Sequence, residues 1–194
     1  MHEITENGHL IDYLIARGVL HSPTLIEAFK RCDRILFVPD AFNAEAYNDY
    51  PLPIGERQTI SQPTTVAIMI ELLNPEAGHK ILDIGSGSGW TTALLATAVG
   101  EEGFVEGIER IPFLVLYSRE NLEKIPITNA SITLADSSDL GKPGHLYDRI
   151  LVSASAPTMP KSLLDQLKNG GILVIPIENS VWRFKKNSDG EIEA

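Results

Sequence analysis

Apolar side chains recur at helical spacing near the start of the chain, where Leu10, Ile11, Leu14 and Ile15 form one stripe that runs out near Gly18. Ser22-Pro23 then reads as a helix start, with serine at the N-cap and proline in the first turn. Leu25, Ile26 and Phe29 continue the inward-facing pattern. Between residues 37 and 63 the periodicity fades and four prolines punctuate the chain. A long ordered connection is expected there, of the kind that in compact domains tends to carry function. A further helix is expected from about Thr64 to Leu73.

Beyond Pro75 the pattern changes to short apolar runs alternating with helical stretches. Strands are expected at residues 80–84, 103–108, 130–134, 147–153, 171–177 and 181–185, and helices at 90–99, 112–123 and 160–167. The last of these helices is expected to close on Gly170-Gly171. Such alternation implies an α/β architecture with a doubly wound, mostly parallel sheet covered by helices on both faces, behind an N-terminal helical extension. Ligands of such sheets lie at the carboxyl ends of the strands, so chemistry is sought in residues that follow strands.

Composition narrows the partners. With 194 residues and 43% apolar content, the chain is expected to form one globular domain. Its net charge of −10 and pI near 4.9 repel phosphate backbones, which makes nucleic acid a poor default partner. Cys32 is the only cysteine, so neither an intramolecular disulfide nor a cysteine zinc cluster is expected. The five histidines, His2, His9, His21, His79 and His145, lack metal-ligand spacing, and no metal is expected. His79 is placed in the solvated entry to the strand that starts at Lys80. The Met1-His2-Glu3-Ile4-Thr5-Glu6 start is not a secretory signal, and no apolar run approaches the ~20 residues that span a bilayer. A cytoplasmic protein without membrane contact is expected.

The chemical signal is Gly85-Ser86-Gly87-Ser88-Gly89, directly after the strand Ile81-Leu82-Asp83-Ile84. Glycines let the backbone turn sharply and approach a ligand without Cβ contact. The dinucleotide fingerprint would require glycine at position 90, which is Trp90, and the G-x-G-x-G form suits a ligand without a pyrophosphate, such as S-adenosylmethionine. Glu109 ends the second strand 24 residues after Gly85, where a carboxylate can accept from both hydroxyls of a ribose. Asp136 follows the third strand and is placed beside an adenine amino group or in a solvated turn. Asp83 either orients the loop or touches the methionine end of the ligand.

Further motifs carry a family resemblance. Pro51-Leu52-Pro53-Ile54-Gly55, then Gln58-Thr59-Ile60-Ser61-Gln62-Pro63, resembles the signature of the protein-L-isoaspartate O-methyltransferases, in which a "PLPIG…QTIS-x-P" segment precedes an "LDIGSGSG" loop. Arg34-Ile35-Leu36-Phe37-Val38-Pro39 resembles the same family's "R-x-x-FVP". Tyr147-Asp148-Arg149-Ile150, Ala154-Ser155-Ala156-Pro157 and Leu167-Lys168-Asn169-Gly170-Gly171 also fit, so the likeness spans roughly residues 10–178. It implies a Rossmann-like class I S-adenosylmethionine-dependent methyltransferase. The implied reaction moves a methyl group to the α-carboxylate of isoaspartyl residues in damaged peptides and proteins, with S-adenosylhomocysteine as the other product. The ester then closes to a succinimide that reopens partly to normal aspartate. The resemblance further implies a cofactor site of Thr59, Ile60, Ser61, Asp83, Gly85, Ser86, Gly87, Ser88, Gly89, Glu109, Arg110, Ala135 and Asp136, with Ser61 as the catalytic residue. Residues 1–74 then supply helices and the substrate-side loop, and residues 75–194 the cofactor-binding core.

The resemblance implies for Ser61 a hydrogen-bonding role beside carboxylate and methyl donor, not a nucleophilic one; a hydrolase is not expected, since no histidine pairs with it and no G-x-S-x-G elbow is present. On spacing alone it reads as a cap for the helix starting near Pro63. Three departures from the family pattern set further expectations. Ala135-Asp136-Ser137 replaces Gly-Asp-Gly and narrows the adenine pocket; the turn at Glu178-Asn179-Ser180 is short; and the given chain stops at Ala194, without the ~15 to 25 residues of last strand and tail into which the family continues. An open edge is therefore expected near Val181 to Phe184, with Lys185-Lys186 discouraging pairing, in a monomer or weak dimer. Alternatives to the repair enzyme are an S-adenosylmethionine-binding protein without repair activity and a methyltransferase for another carboxylate.

Overall fold

The computed structural model describes residues 6–136, 140–154 and 158–194. The readings placed on Met1–Thr5, Ser137 and Ser155-Ala156-Pro157 fall outside them. Strands β3 (Lys80–Ile84), β4 (Phe104–Glu109), β5 (Ala130–Leu134), β6 (Tyr147–Val152), β7 (Leu167–Ile177), β8 (Ser180–Lys186) and β9 (Ile192–Glu193) form one sheet in the order β5-β4-β3-β6-β7-β8-β9. Pairing is parallel from β5 to β7 and antiparallel for β8 and β9. The chain runs from β3 outward to one edge and then returns to β6 on the other side of β3. A topological switch point therefore opens between the ends of β3 and β6, the standard crevice of such sheets.

Alternation along the strands sorts the core onto two faces. Ile81, Val105, Leu151, Ile172 and Val174 point to one face, where they share a single apolar cluster with Leu10, Leu14, Phe29, Ile70 and Leu94 of the helices. Leu82, Ile84, Ile150, Val152, Leu173 and Ile175 point to the other, against Leu163. The two faces are covered unequally. Helices α1 (Asn7–Ala16), α2 (Pro23–Arg31), α3 (Pro63–Leu73), α4 (Trp90–Val99) and α5 (Pro112–Leu122) contribute to the first cluster, whereas α6 (Lys161–Leu164) faces the second.

Several local expectations are corrected. In α1, Leu10, Ile11 and Leu14 are buried but Ile15 is 41% exposed, so the inward stripe is narrower than its pattern implied. In α2, Leu25 and Phe29 are buried while Ile26 is only partly covered. Ser22 heads that helix, yet its hydroxyl donates to Glu71 Oε2 of α3 at 2.6 Å. Glu71 Oε1 also accepts the His21 and Ser22 amides at 2.8 Å, so the entry to α2 is tied down by a carboxylate about fifty positions away in sequence. His79 is largely covered, its Nδ1 accepting the Glu76 amide, and does not stand in open solvent.

Residues 37–63 carry more structure than expected. Two 3-10 turns, Arg34–Phe37 and Asp40–Glu45, lead into a hairpin of β1 (Leu52–Gly55) and β2 (Gln58–Ile60). The helix expected at 160–167 shrinks to α6, and Gly170-Gly171 lie inside β7. The reason is register: Tyr147 of β6 pairs with Leu167 and Arg149 with Ile172, so the extra residues bulge out of β7 around Gly170 at φ 80°. At the far edge β9 pairs with Lys185 and Lys186, the very residues expected to discourage pairing. Among the described residues, the outer edge of Ser180–Phe184 has no partner strand.

Candidate active site

A cavity of about 680 Å³ lies at the switch point. Ile84 to Ser88 after β3, Glu109 and Arg110 at the end of β4, Ala135 and Asp136 after β5, and Ser153 and Ala154 after β6 line one side. Gln58, Thr59, Ile60 and Ser61 of β2 and its exit line the opposite side. The hairpin segment and the glycine loop are thus two walls of one chamber, of a size that suits a small-molecule ligand. Of the expected site residues, Thr59, Ile60, Ser61, Gly85, Ser86, Gly87, Ser88, Glu109, Arg110, Ala135 and Asp136 are brought together there. Asp83 and Gly89 are not.

The glycine loop offers shape more than hydrogen-bond donors. The Gly85 and Ser86 amides both point to Ile108 O at 2.8 and 3.2 Å, and the Gly89 amide to Ser86 O at 2.7 Å. The Gly87 amide donates to Glu109 Oε2 at 3.0 Å. Gly85 and Gly87 hold φ of 81° and 52°, a region costly for residues with a Cβ. With these amides spent on β4, the loop is not a phosphate cradle. It leaves the Ser86 hydroxyl buried at the chamber without a partner among the described residues.

Glu109 is 6% exposed and anchored by two backbone amides, Gly87 to Oε2 and Ile111 to Oε1, each at 3.0 Å. An ionised carboxylate has about four acceptor sites. Two remain, one on each oxygen, for a vicinal diol. The floor beside it is apolar, built from Ile84, Ile108 and Leu114, and suits a flat heterocycle. Asp136 and Arg110 are exposed at its rim.

Asp83 lies behind the chamber. Fully buried, it accepts from the hydroxyls of Thr91 at 2.8 Å and Thr92 at 2.6 Å, both on Oδ2. Through Oδ2 it therefore orients the first turn of α4. Burial pushes its carboxyl up to about 6; the Thr92 and Thr91 hydroxyls oppose the rise, and the Glu109 charge adds to it.

Gly89 is a packing glycine. It holds φ 87°, and a Cβ there would meet Ser118 Cβ and O at 3.2 Å. Gly89→Ala is expected to destabilise the fold by about 2 kcal/mol, roughly 4–8 °C in Tm. Affinity for S-adenosylhomocysteine should stay close to wild type. A thermal scan showing no loss, with weakened binding by calorimetry, would return Gly89 to the ligand site.

Ser61 leaves β2 two residues before α3. It does not cap that helix: the Thr64 amide donates at 2.9 Å to Asp49 Oδ1, and the Thr64 hydroxyl at 2.7 Å to Oδ2. Tyr13 adds a bond to Oδ2 at 3.2 Å, and the Gln62 side chain reaches Asp49 O at 3.0 Å. With the cap supplied from the 46–50 segment, the Ser61 hydroxyl has no partner among the described residues and faces the cavity wall.

Burial alone would raise the Asp49 carboxyl, but the bonds from Thr64, Gln62 and Tyr13 outweigh it and hold the pKa below the usual aspartate range. A carboxyl lowered on folding adds stability at pH values above its unfolded pKa. That contribution is lost as pH falls through the lowered folded value. Asp49→Asn should therefore lower Tm at neutral pH, and the gap to wild type should shrink on acidification. A gap independent of pH would remove the Asp49 charge from the account.

Sequence reasoning missed several residues. Ser153 and Ala154 follow the next strand in the row, and the rule that sites lie beyond strand ends would have found them. Trp90, read only as a helix start, lines the cavity and donates from Nε1 to Cys32 O at 2.9 Å. Arg34, quoted only as part of a motif, is fully buried behind Ser61.

A parallel sheet with a glycine turn after its first strand, an acid ending the second and a chamber at the switch point is the architecture of a class I S-adenosylmethionine-dependent methyltransferase. Residues 5–194 match the family model described as Protein-L-isoaspartate(D-aspartate) O-methyltransferase (PCMT), and the chain belongs to that family. It is 44% identical over 188 residues to the protein-L-isoaspartate O-methyltransferase of Methanopyrus kandleri, covering 94% of this chain and 83% of the relative. The corresponding protein of Pyrococcus horikoshii is 42% identical over 188 residues, covering 94% and 84%. A solved β-aspartate methyltransferase from Plasmodium falciparum, in complex with S-adenosyl-L-homocysteine, superposes with a TM-score of 0.82 at 28% identity, covering 95% of this chain and 92% of that one.

Proposed function

We propose that this chain is a protein-L-isoaspartate O-methyltransferase that esterifies the α-carboxylate of isoaspartyl residues in damaged proteins. The observation that carries the reading is the meeting of the Gln58–Ser61 segment with the glycine loop and Glu109 across one cavity. Residues 1–194 act as one unit, since the N-terminal helices share the apolar cluster of the sheet.

When bound, S-adenosylmethionine supplies a methyl group on a sulfonium, an activated leaving group. Glu109 would hold the ribose hydroxyls on its two remaining acceptor sites, and Ile108 and Leu114 would offer the adenine an apolar surface. Ala135 and Asp136 border the adenine edge. Ser86, Gly87 and Ser88 shape the methionine end, with Asp83 steadying Thr91 behind them. Thr59, Ile60 and Ser61 close the chamber from the substrate side.

The acceptor carboxylate is ionised near neutral pH, so no general base is required. Its oxygen would accept the methyl group, and the cofactor would supply the leaving group, the carbon–sulfur electron pair staying on sulfur. Opposite charges cancel in that step, and the protein's task is alignment and exclusion of water. Ser61 donates its hydroxyl to the carboxylate and holds the attacking oxygen in line. A cytoplasmic location and action as a monomer or weak dimer on polypeptides, without nucleic acid or membrane, complete the reading; no helix among the described residues is long and apolar enough to cross a membrane.

The test is transfer of a labelled methyl group to two matched peptides, one with isoaspartate and one with aspartate. Labelling of the isoaspartyl peptide alone is the expected result. Transfer to neither peptide, with S-adenosylhomocysteine bound by calorimetry, would overturn the reading in favour of a binding protein. Equal transfer to both would point to a different carboxylate substrate.

A further inference from the structure

Behind Ser61 lies a buried cation that the reaction itself does not use. The Arg34 side chain is fully buried, and the two terminal nitrogens of its guanidinium are spent on backbone carbonyls. Nη1 donates to Ala46 O at 2.6 Å and to Asn48 O at 3.2 Å, and Nη2 donates to Tyr50 O and Ser61 O, both at 3.1 Å. The guanidinium carbon also sits 5.5 Å from the centroid of the Trp90 ring. One side chain thus gathers the 46–50 segment, the residue that lines the substrate side of the cavity, and the first residue of the helix behind the glycine loop.

A planar fork on a buried stem does this at low cost, because its donors are fixed relative to one another. Burial lowers its pKa to about 10, with Asp49 and Tyr50 pulling the other way, so the fork stays charged at neutral pH. A lysine has the same charge but a single point of donation and cannot span four carbonyls from two segments. The Gln62 side chain closes the same clasp from the other direction by reaching Asp49 O. The peptide unit of Ser61 is therefore held on its carbonyl side by Arg34, while its hydroxyl is left unengaged among the described residues.

We infer that Arg34 is a positioning residue for the methyl-transfer step: its fork fixes the backbone of Ser61, and so the direction of the Ser61 hydroxyl, relative to the glycine-loop wall. The inference rests on the role given to Ser61 above and extends it to a residue that touches neither substrate nor cofactor.

Arg34→Lys is compared with wild type in kcat and KM for a synthetic isoaspartyl hexapeptide, in calorimetric affinity for S-adenosylhomocysteine, and in hydrogen exchange of the 58–64 amides. The expected result is a fall in kcat of about tenfold or more, with S-adenosylhomocysteine affinity within about twofold and faster exchange confined to 46–50 and 58–64. In a Ser61→Ala background the same substitution should change kcat by less than about threefold, since the hydroxyl it positions is gone. An equal loss in both backgrounds, or a folded Arg34→Lys protein with full kcat, would overturn the inference. If Arg34→Lys does not fold, Gln62→Ala removes the bond to Asp49 O and loosens the same clasp with Arg34 in place. It must then lower kcat in the presence of Ser61 and not in its absence, or the inference fails. Should wild type transfer no methyl at all, the functional reading falls, and the exchange data decide alone: unchanged 58–64 amides would show that Arg34 clamps nothing.

Discussion

Ser61→Ala is expected to lower kcat for an isoaspartyl peptide about a hundredfold, the scale seen when one donor aimed at a reacting oxygen is removed. Calorimetry should find S-adenosylhomocysteine affinity within about twofold of wild type, because the ribose and adenine contacts lie on the opposite wall. Structural loss should be small. The cap of α3 comes from Asp49, and the Arg34 bond runs to the Ser61 carbonyl, which alanine keeps. Ser61→Thr retains the hydroxyl and should recover part of the rate. The decisive comparison is kcat against Tm: a Ser61→Ala protein with wild-type turnover would remove Ser61 from the reaction, whereas parallel falls in Tm and kcat would return it to a structural part.

Glu109→Ala should weaken binding of S-adenosylhomocysteine about a hundredfold. Two hydrogen bonds from ribose hydroxyls to a charged acceptor are together worth about 3 kcal/mol, and this substitution removes both. The same change strips the Gly87 and Ile111 amides of their acceptor, so the loop that shapes the site also loosens. Glu109→Gln separates the two effects. It keeps one acceptor oxygen and the volume but loses the charge and one acceptor, and an affinity between wild type and alanine is expected. Wild-type affinity in Glu109→Ala would refute the ribose placement outright. A loss in alanine that glutamine fully restores would assign the effect to loop support.

Much of this site was legible along the chain. Glycine spacing after an apolar strand, an acid at the end of the next strand and one more beyond the third are local features. The parallel architecture then carries all of them to the same end of the sheet. Where the reading failed, contacts distant in sequence had taken over. Gly89 sits within the motif, yet it packs on Ser118. The 160–171 stretch reads as a helix with a glycine stop, but pairing of Leu167 with Tyr147 draws it into a bulged strand. Ser22 has the composition of a cap, and its hydroxyl instead serves Glu71.

The sequence by itself determined the order of strands β3 to β8, the nucleotide loop and the family, because hydrophobic period, glycine freedom and motif spacing are properties of neighbouring residues. Only the tertiary structure decided which polar groups hold the site together. Glu71 ties the start of α2, Asp49 caps α3, and Arg34 collects four carbonyls from two segments. Buried carbonyls and helix ends must find partners, but nothing in their local sequence names the partner. The closed fold supplies those partners from far along the chain, and in doing so leaves the Ser61 hydroxyl without a partner among the described residues.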